Sequence, residues 1–327
     1  MKILIIKPSS FGDIIQSNPV AAALKAVHPG AEIQWLVFKA WEETVDLFPD
    51  VAGKIVWDRK AGLKEYFRMI AAVRKEKFDV VIDLQGLART SIIARLSGAL
   101  KVISVPGTKE FGWLLVKEAF PESRKINAVL RNMETVRFLT GKTSAPVFNL
   151  KVPDSAVNEA KKTLEQNGIG RDDNFIVFIP GARGAAKTWP AEHYDRLAAD
   201  ILNTRKVKIA ALGGERDCRL LRNPGIKDLC GRTSIKTLAA VLALSKAVIG
   251  GDTGPVHLAA ALGVPVVAIF GGSDIEETAP HAGNVKLVSK RLDCSPCRGR
   301  PICNDYHCLT AISPEEVLTA LNELLIA

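Results

Sequence analysis

Short apolar runs separated by stretches with helical periodicity fill both halves of the chain. In the first half the runs are KILII (2–6), EIQWLVF (32–38), KIVW (54–57), FDVVIDL (78–84) and KVISV (101–105), with helical patterns such as LKEYFRMIAAVRKE (63–76) between them. Buried strands that alternate with helices imply parallel pairing through βαβ crossovers. Around 140–155 the pattern lapses into Pro, Ser and Thr, which predicts a linker. A second series follows, NFIVFIP (174–180), VKIAALGG (207–214), AVIG (247–250) and VPVVAIF (264–270), again with helices between. The last helical pattern, SPEEVLTALNELL, has Ser313 at its N-cap and Glu316 at the capping-box position. The pattern predicts an α/β chain of two Rossmann-like doubly wound domains, 1–150 and 151–327, facing across a cleft at the carboxyl ends of their strands. The final helix, 313–326, can pack back on the N-terminal domain.

Four turns at strand ends carry candidate chemistry. KPSSFGD (7–13) follows the first strand: Ser9, Ser10 and Gly12 make a tight turn, and Asp13 opens the next helix. Asp13 either caps that helix or presents a carboxylate that takes a proton from a substrate hydroxyl. The turn is not the G-x-G-x-x-G fingerprint, which argues against a plain NAD enzyme. IPGARGAAKTWP (179–190) nearly matches a Walker A loop. In a P-loop the Lys-Thr pair lies in the first turn of a helix, whereas here Trp189-Pro190 interrupts. The NTPase reading is rejected, and a Gly-rich turn presenting Lys187 to a phosphate is kept. In LGGERD (212–217), Glu215 binds ribose hydroxyls or caps a helix.

The most informative stretch is GGDTGPVHLAAALG (250–263). Asp-Thr-Gly is the aspartic-protease triplet, but such a dyad needs two copies or a small dimerising chain, and the sequence holds one. With strands before and after it, the stretch is a strand–turn–helix–strand unit. Pro255 suits the first helical turn, Asp252 or Thr253 can cap it, and Gly263 ends it. A helix N-terminus at a strand's carboxyl end is an anion site. Together with Lys187 and Glu215 it outlines a nucleotide site on the second domain.

KPSSFGD, GARGAAKTWP, GGERD and above all GGDTGPVHLAAALGVPVVAIFG resemble the bacterial heptosyltransferases of glycosyltransferase family 9, over essentially the whole chain. The resemblance implies a GT-B fold. It implies an inverting, metal-independent transfer of heptose from ADP-heptose to the inner core of lipid-A-linked lipopolysaccharide. The N-terminal domain would take the lipid-linked acceptor and the C-terminal domain the donor. Asp13 falls on the family's general base, Lys187 on its diphosphate-binding lysine and Glu215 on its ribose-binding glutamate. Asp252, Thr253, Gly254 and His257 fall on its donor-binding turn, with Ser9 and Ser10 counted among the donor-binding residues. Arg59, Lys60, Arg89 and Arg131 are the basic residues expected at acceptor phosphates. Ala182 and Arg183 depart from the threonines of some members. On this reading Thr253 and the helix N-terminus hold the pyrophosphate, Asp252 faces sugar hydroxyls, and His257 donates to phosphate or orders the turn. A GT-B transferase or epimerase using another nucleotide sugar is the alternative, and a non-catalytic nucleotide-binding protein a more distant one.

Composition narrows the partners. The chain has 327 residues, 47% hydrophobic and 24% charged, and a net charge of +9. Residues 1–150 hold 22 Lys and Arg against 15 Asp and Glu, so most of the excess lies in the first half. That half is expected to face something anionic. With no arginine-rich tract and 6% aromatic residues, nucleic acid is not the expected partner. The apolar run before Lys7 is too short for a secretory leader and no run reads as a membrane span, so a cytoplasmic protein, peripheral on the inner membrane, is expected. Cys294, Cys297, Cys303 and Cys308 give C-x2-C-x5-C-x4-C, open to a structural zinc, free thiols or disulfides, with disulfides disfavoured in a cytosolic setting. No cofactor is required by the chemistry, and Cys218 and Cys230 are expected in the core.

Overall fold

A computed structural model describes residues 1–105, 109–118, 126–297, 303 and 305–326. Contacts divide the chain into two units, Met1–Lys151 and Val152–Ala327. In the first, strands β1 (Lys2–Ile6), β2 (Glu32–Phe38), β3 (Gly53–Trp57), β4 (Val80–Asp83), β5 (Lys101–Ser104) and β6 (Lys117–Glu118) form a parallel sheet of order β3-β2-β1-β4-β5-β6. Helices α1 (Phe11–Ile15), α2 (Asn18–Val27), α3 (Glu42–Val45), α4 (Gly62–Lys75), α5 (Ala88–Leu96) and α6 (Ala128–Thr140) connect and flank the strands. The order reverses between β1 and β4, and such a switch point opens a crevice at the strands' carboxyl ends. Ile3 to Ile6 of β1 are wholly buried, as a central parallel strand requires, and so carry no alternation.

The second unit repeats the plan. Helix α7 (Asp154–Gln166) leads into β7 (Phe175–Ile179), α8 (Ala191–Thr204), β8 (Lys208–Ala211), β9 (Ile226–Asp228), α9 (Ile235–Leu244) and β10 (Ala247–Gly251). Then come α10 (Gly254–Ala261), β11 (Val266–Phe270), α11 (Ile275–Thr278), β12 (Val285–Ser289), α12 (His307–Thr310) and α13 (Pro314–Ile326). The sheet is parallel, of order β12-β11-β10-β7-β8-β9, with its switch point between β7 and β10.

The Pro/Ser/Thr-rich stretch after α6 has neither helix nor strand between Gly141 and Pro153. It is nonetheless stitched to the first unit: Asn18 and Asn149 exchange side-chain–backbone hydrogen bonds, and Lys151 N donates to Leu47 O at 2.9 Å. The capping box predicted for the last helix forms, with Ser313 N donating to Glu316 Oε2 and Glu316 N to Ser313 Oγ. That helix lies on β11, β12 and α8 of its own unit. No described helix is long and apolar enough to cross a membrane.

Candidate functional site

The strongest constellation of the second unit sits at its switch point. The turn after β7 brings Lys187 to the end of β10, where its Nζ lies 2.5 Å from Asp252 Oδ2. Ser273, from the turn after β11, donates to the same oxygen at 2.6 Å, and His257 Nε2 lies 3.1 Å from Oδ1. Burial works to raise the Asp252 carboxyl, but the His257 hydrogen bond and the charges of His257 and Lys187 outweigh it and hold the group well below the usual carboxylate range. Both Asp252 oxygens have partners within the protein, in addition to the sugar hydroxyls that the sequence expects it to face. Asp252 thereby ties the lysine and the histidine together at this turn.

The close approach depends on a glycine. A Cβ at Gly251 would stand 2.2 Å from the Lys187 carbonyl oxygen, so any other residue would push the lysine turn off the strand end. The turn is also tied to its far neighbour by Gly272 N, which donates to Ala186 O at 3.0 Å. Lys187 ends a 3-10 turn, Ala185–Lys187, and the next helix begins at Ala191, so the Lys-Thr pair is not in a P-loop helix. Trp189 explains the interruption: it is buried and its Nε1 donates to Ile312 O at 3.0 Å.

Helix α10 starts beside this pair. Neither expected cap operates: Thr253 occupies the N-cap position but gives no side-chain bond to the helix, and its hydroxyl is buried without a partner. Asp252 is engaged elsewhere. The first-turn N–H groups and the Thr253 hydroxyl therefore remain as donors next to a lysine, which is the composition of a phosphate site. At the adjoining end of β8, Glu215 is 84% exposed and 3.7 Å from Arg219. No helix starts in the Gly213–Leu221 turn, which removes the capping alternative for Glu215. Asp217, quoted within the motif but given no role from sequence, fastens this turn by accepting from Gly214 N at 2.7 Å, and its carboxylate fills the space a Cβ at Gly181 would need.

In the first unit Ser10 is the N-cap of α1 and Asp13 is its third residue. Asp13 Oδ2 accepts from Ser10 N at 3.0 Å and from Ser10 Oγ at 2.5 Å, so the carboxylate is held at a fixed place by a capping-box contact rather than standing at the cap itself. Ser9 and Ser10 belong to the first unit, in the same turn as Asp13. Lys7, missed by the sequence reading, is buried here and donates to Leu84 O at 2.8 Å. Burial pushes its ammonium down, the Asp13 carboxylate pulls it up, and Arg131 pushes it down again. Asn132, next to Arg131 on α6, donates to Gln16 O and Ser17 Oγ just after α1, which places Arg131 at this end of the sheet. Arg89 enters on α5 from the neighbouring β4, with its Nε buried and unpartnered. Asp83, at 0% exposure, organises that loop by accepting from Gln85 N, Gly86 N, Thr90 Oγ1 and Ser91 Oγ. Arg59 and Lys60 stand exposed on the turn after β3, Arg59 over the Phe38 ring. Lys7 carried one sequence signal, a lysine directly after the apolar run Ile3–Ile6.

The cysteines divide differently from expectation. Cys218 and Cys230 are core residues, as expected, and are joined by a disulfide that no spacing announced. Cys294, Cys297, Cys303 and Cys308 are free. Burial raises the Cys308 thiol, and the other three cysteines raise it further. Among the described residues, however, the group that brings three ligand atoms within 4.8 Å of one another is Cys218, Asp228 and Cys230, not this run.

The buried Asp252 pair predicts a pH dependence. A carboxyl depressed in the folded state stabilises the fold above its ordinary value, near 3.9, and loses that contribution as pH falls. Thermal melts of the parent should lie above those of Asp252→Asn at neutral pH and converge with them from about pH 5 downward. A difference that stays constant down to acid pH would mean the ion pair adds nothing.

The sequence profile of Glycosyltransferase family 9 (heptosyltransferase) matches residues 66–306. Lipopolysaccharide heptosyltransferase 2 of Escherichia coli K12 is 26% identical over 349 residues, covering 100% of this chain and 99% of its own. Among solved structures, E. coli ADP-heptose lps heptosyltransferase II superposes with a TM-score of 0.81 at 24% identity, covering 100% of this chain and 99% of that one. E. coli heptosyltransferase WaaC with ADP gives a TM-score of 0.77 at 23% identity, covering 99% of this chain and 100% of that one. The fold is GT-B, two Rossmann-like parallel-sheet units in one chain.

Proposed function

The chain belongs to glycosyltransferase family 9 and is a glycosyltransferase; we propose that it transfers heptose from ADP-heptose to the inner core of lipid-A-linked lipopolysaccharide, with inversion at the anomeric carbon. The observation that carries the reading is the Lys187–Asp252 pair beside the uncapped N-terminus of α10. An ammonium has three N–H donors, so Lys187 can keep its bond to Asp252 and still donate to a diphosphate. With the Thr253 hydroxyl and the N–H groups at Gly254, it would stabilise the negative charge that gathers on ADP as the glycosidic bond breaks. Glu215, on the adjoining turn, suits the ribose hydroxyls.

The first unit supplies the base and the acceptor contacts. Asp13 takes the proton of the attacking hydroxyl as that oxygen bonds to the anomeric carbon. A single displacement with one base and no second nucleophile inverts the centre. Arg89 and Arg131, at the Asp13 end of the sheet, and Arg59 and Lys60 on the turn after β3 suit the phosphates of a lipid-linked acceptor, whose presence in the inner membrane would make the protein peripheral on its cytoplasmic face. The reaction calls for no cofactor. A structural zinc at Cys294, Cys297, Cys303 and Cys308 would have to draw those sulfurs together and has no part in it.

Thermal shifts with ADP-, UDP- and GDP-linked sugars test the donor. ADP-heptose should raise the melting temperature most. A larger shift with a UDP- or GDP-sugar would favour the alternative GT-B enzymes, and no shift with any of them would favour a protein without this donor site.

A further inference from the structure

Helix α4 has two apolar stripes, and only one is used by the fold. Met69, Ile70 and Val73 are buried, as an amphipathic helix on a sheet requires. Leu63 and Phe67, one turn apart, are 76% and 64% exposed, and Ala71 continues their row in solvent. Lys64, Arg68 and Lys75 form the exposed row beside it. Residues 59–77 hold seven Lys and Arg against two Asp and Glu, and both acids are already engaged, Glu65 by Arg68 at 2.7 Å and Glu76 by Lys2. Helix α5 packs beside α4, and Tyr66 Oη donates to Arg89 O at 2.7 Å. The segment carrying Phe111 and Leu114, 73% and 66% exposed, adjoins α5 in turn, with Lys109 N donating to Gly86 O at 2.8 Å. Four large apolar side chains therefore stand in solvent on adjoining segments, next to a basic row in a stretch of net positive charge.

We propose that this face of the first unit, α4 with Leu63 and Phe67 at its centre, docks on an anionic lipid surface. Apolar side chains flanked by Lys and Arg match the two layers of a bilayer interface, acyl chains below and anionic headgroups beside them. A second copy of the chain fits less well, because a two-fold contact through this stripe would bring the basic row against its own image. The proposal rests on the reading of a membrane-borne acceptor and deepens it by naming the surface that meets the membrane. Flotation measures lipid binding without transfer, so the two can fail separately.

The test floats the full chain with vesicles of phosphatidylcholine, alone and mixed with phosphatidylglycerol. The parent should bind the anionic vesicles, bind the neutral ones far less, and be released by raised salt. Leu63→Ser with Phe67→Ser should weaken binding by about tenfold or more, with the melting temperature and ADP binding unchanged, because both side chains are exposed and outside the donor site. Failure of the parent to float with anionic vesicles, or binding by the double variant equal to the parent's, would overturn the proposal. So would a double variant that dissociates a dimer in sedimentation while still binding vesicles.

Discussion

Asp13→Asn is expected to abolish most turnover while leaving the protein folded and able to bind its donor. Asparagine keeps the shape of aspartate and a carbonyl oxygen that can accept from Ser10 N, the contact that fixes residue 13 on α1. It cannot take a proton from the acceptor hydroxyl, which is a poor nucleophile until that proton leaves. Loss of a positioned general base costs on the order of 10²–10⁴ in rate. The measurement is turnover at saturating donor and acceptor, with melting temperature and ADP affinity on the same preparation. Lys7 adds a control: the Asp13 carboxylate helps keep its ammonium charged against burial, so Asp13→Glu, which restores the charge but displaces the oxygens, separates electrostatic support from placement. Turnover of Asp13→Asn close to the parent's would reduce Asp13 to the capping-box residue that its contacts with Ser10 already make it.

Lys187→Ala should weaken donor binding and slow the chemical step together. A charge-assisted contact contributes about 1.5–3 kcal/mol, which is roughly ten- to more than a hundredfold in affinity. The rate suffers as well because ADP gains negative charge as it leaves. The variant also strips Asp252 of one of its partners, leaving Ser273 and His257. Lys187→Met, which keeps much of the stem, tests whether the loss follows the charge. Titration calorimetry with ADP and single-turnover rates provide the readouts. Parent-like ADP affinity and rate in both variants would mean that the turn after β7 holds no phosphate.

The parallel strands at the centre of each sheet were legible because burial on both faces leaves uninterrupted apolar runs, as in Ile3–Ile6 and Val266–Phe270. Strand β12 escaped notice because it lies at a sheet edge, where Lys286 and Leu287 face solvent and the run is broken. Strands β6 and β9 are two and three residues long, too short to show a period. The candidate site was legible wherever a Gly- or Ser-rich turn follows a buried strand, which is where Asp13, Lys187, Glu215 and Asp252 stand. Their partners were not. Asp252 meets Lys187 across 65 residues and Ser273 across 21, pairings set by strand order rather than by spacing along the chain. Cys218 and Cys230 are a similar case: their burial could be read, but their bond depends on two turns at neighbouring strand ends.

The most direct test of the central claim is a transfer assay with purified protein, ADP-heptose and a lipid-A-linked inner-core acceptor, followed by mass spectrometry of the acceptor and quantitation of released ADP. One heptose should be added per acceptor, with an equal amount of ADP formed and with the anomeric configuration inverted. Consumption of a different nucleotide sugar with ADP-heptose untouched, or retention of configuration in the product, would contradict the account.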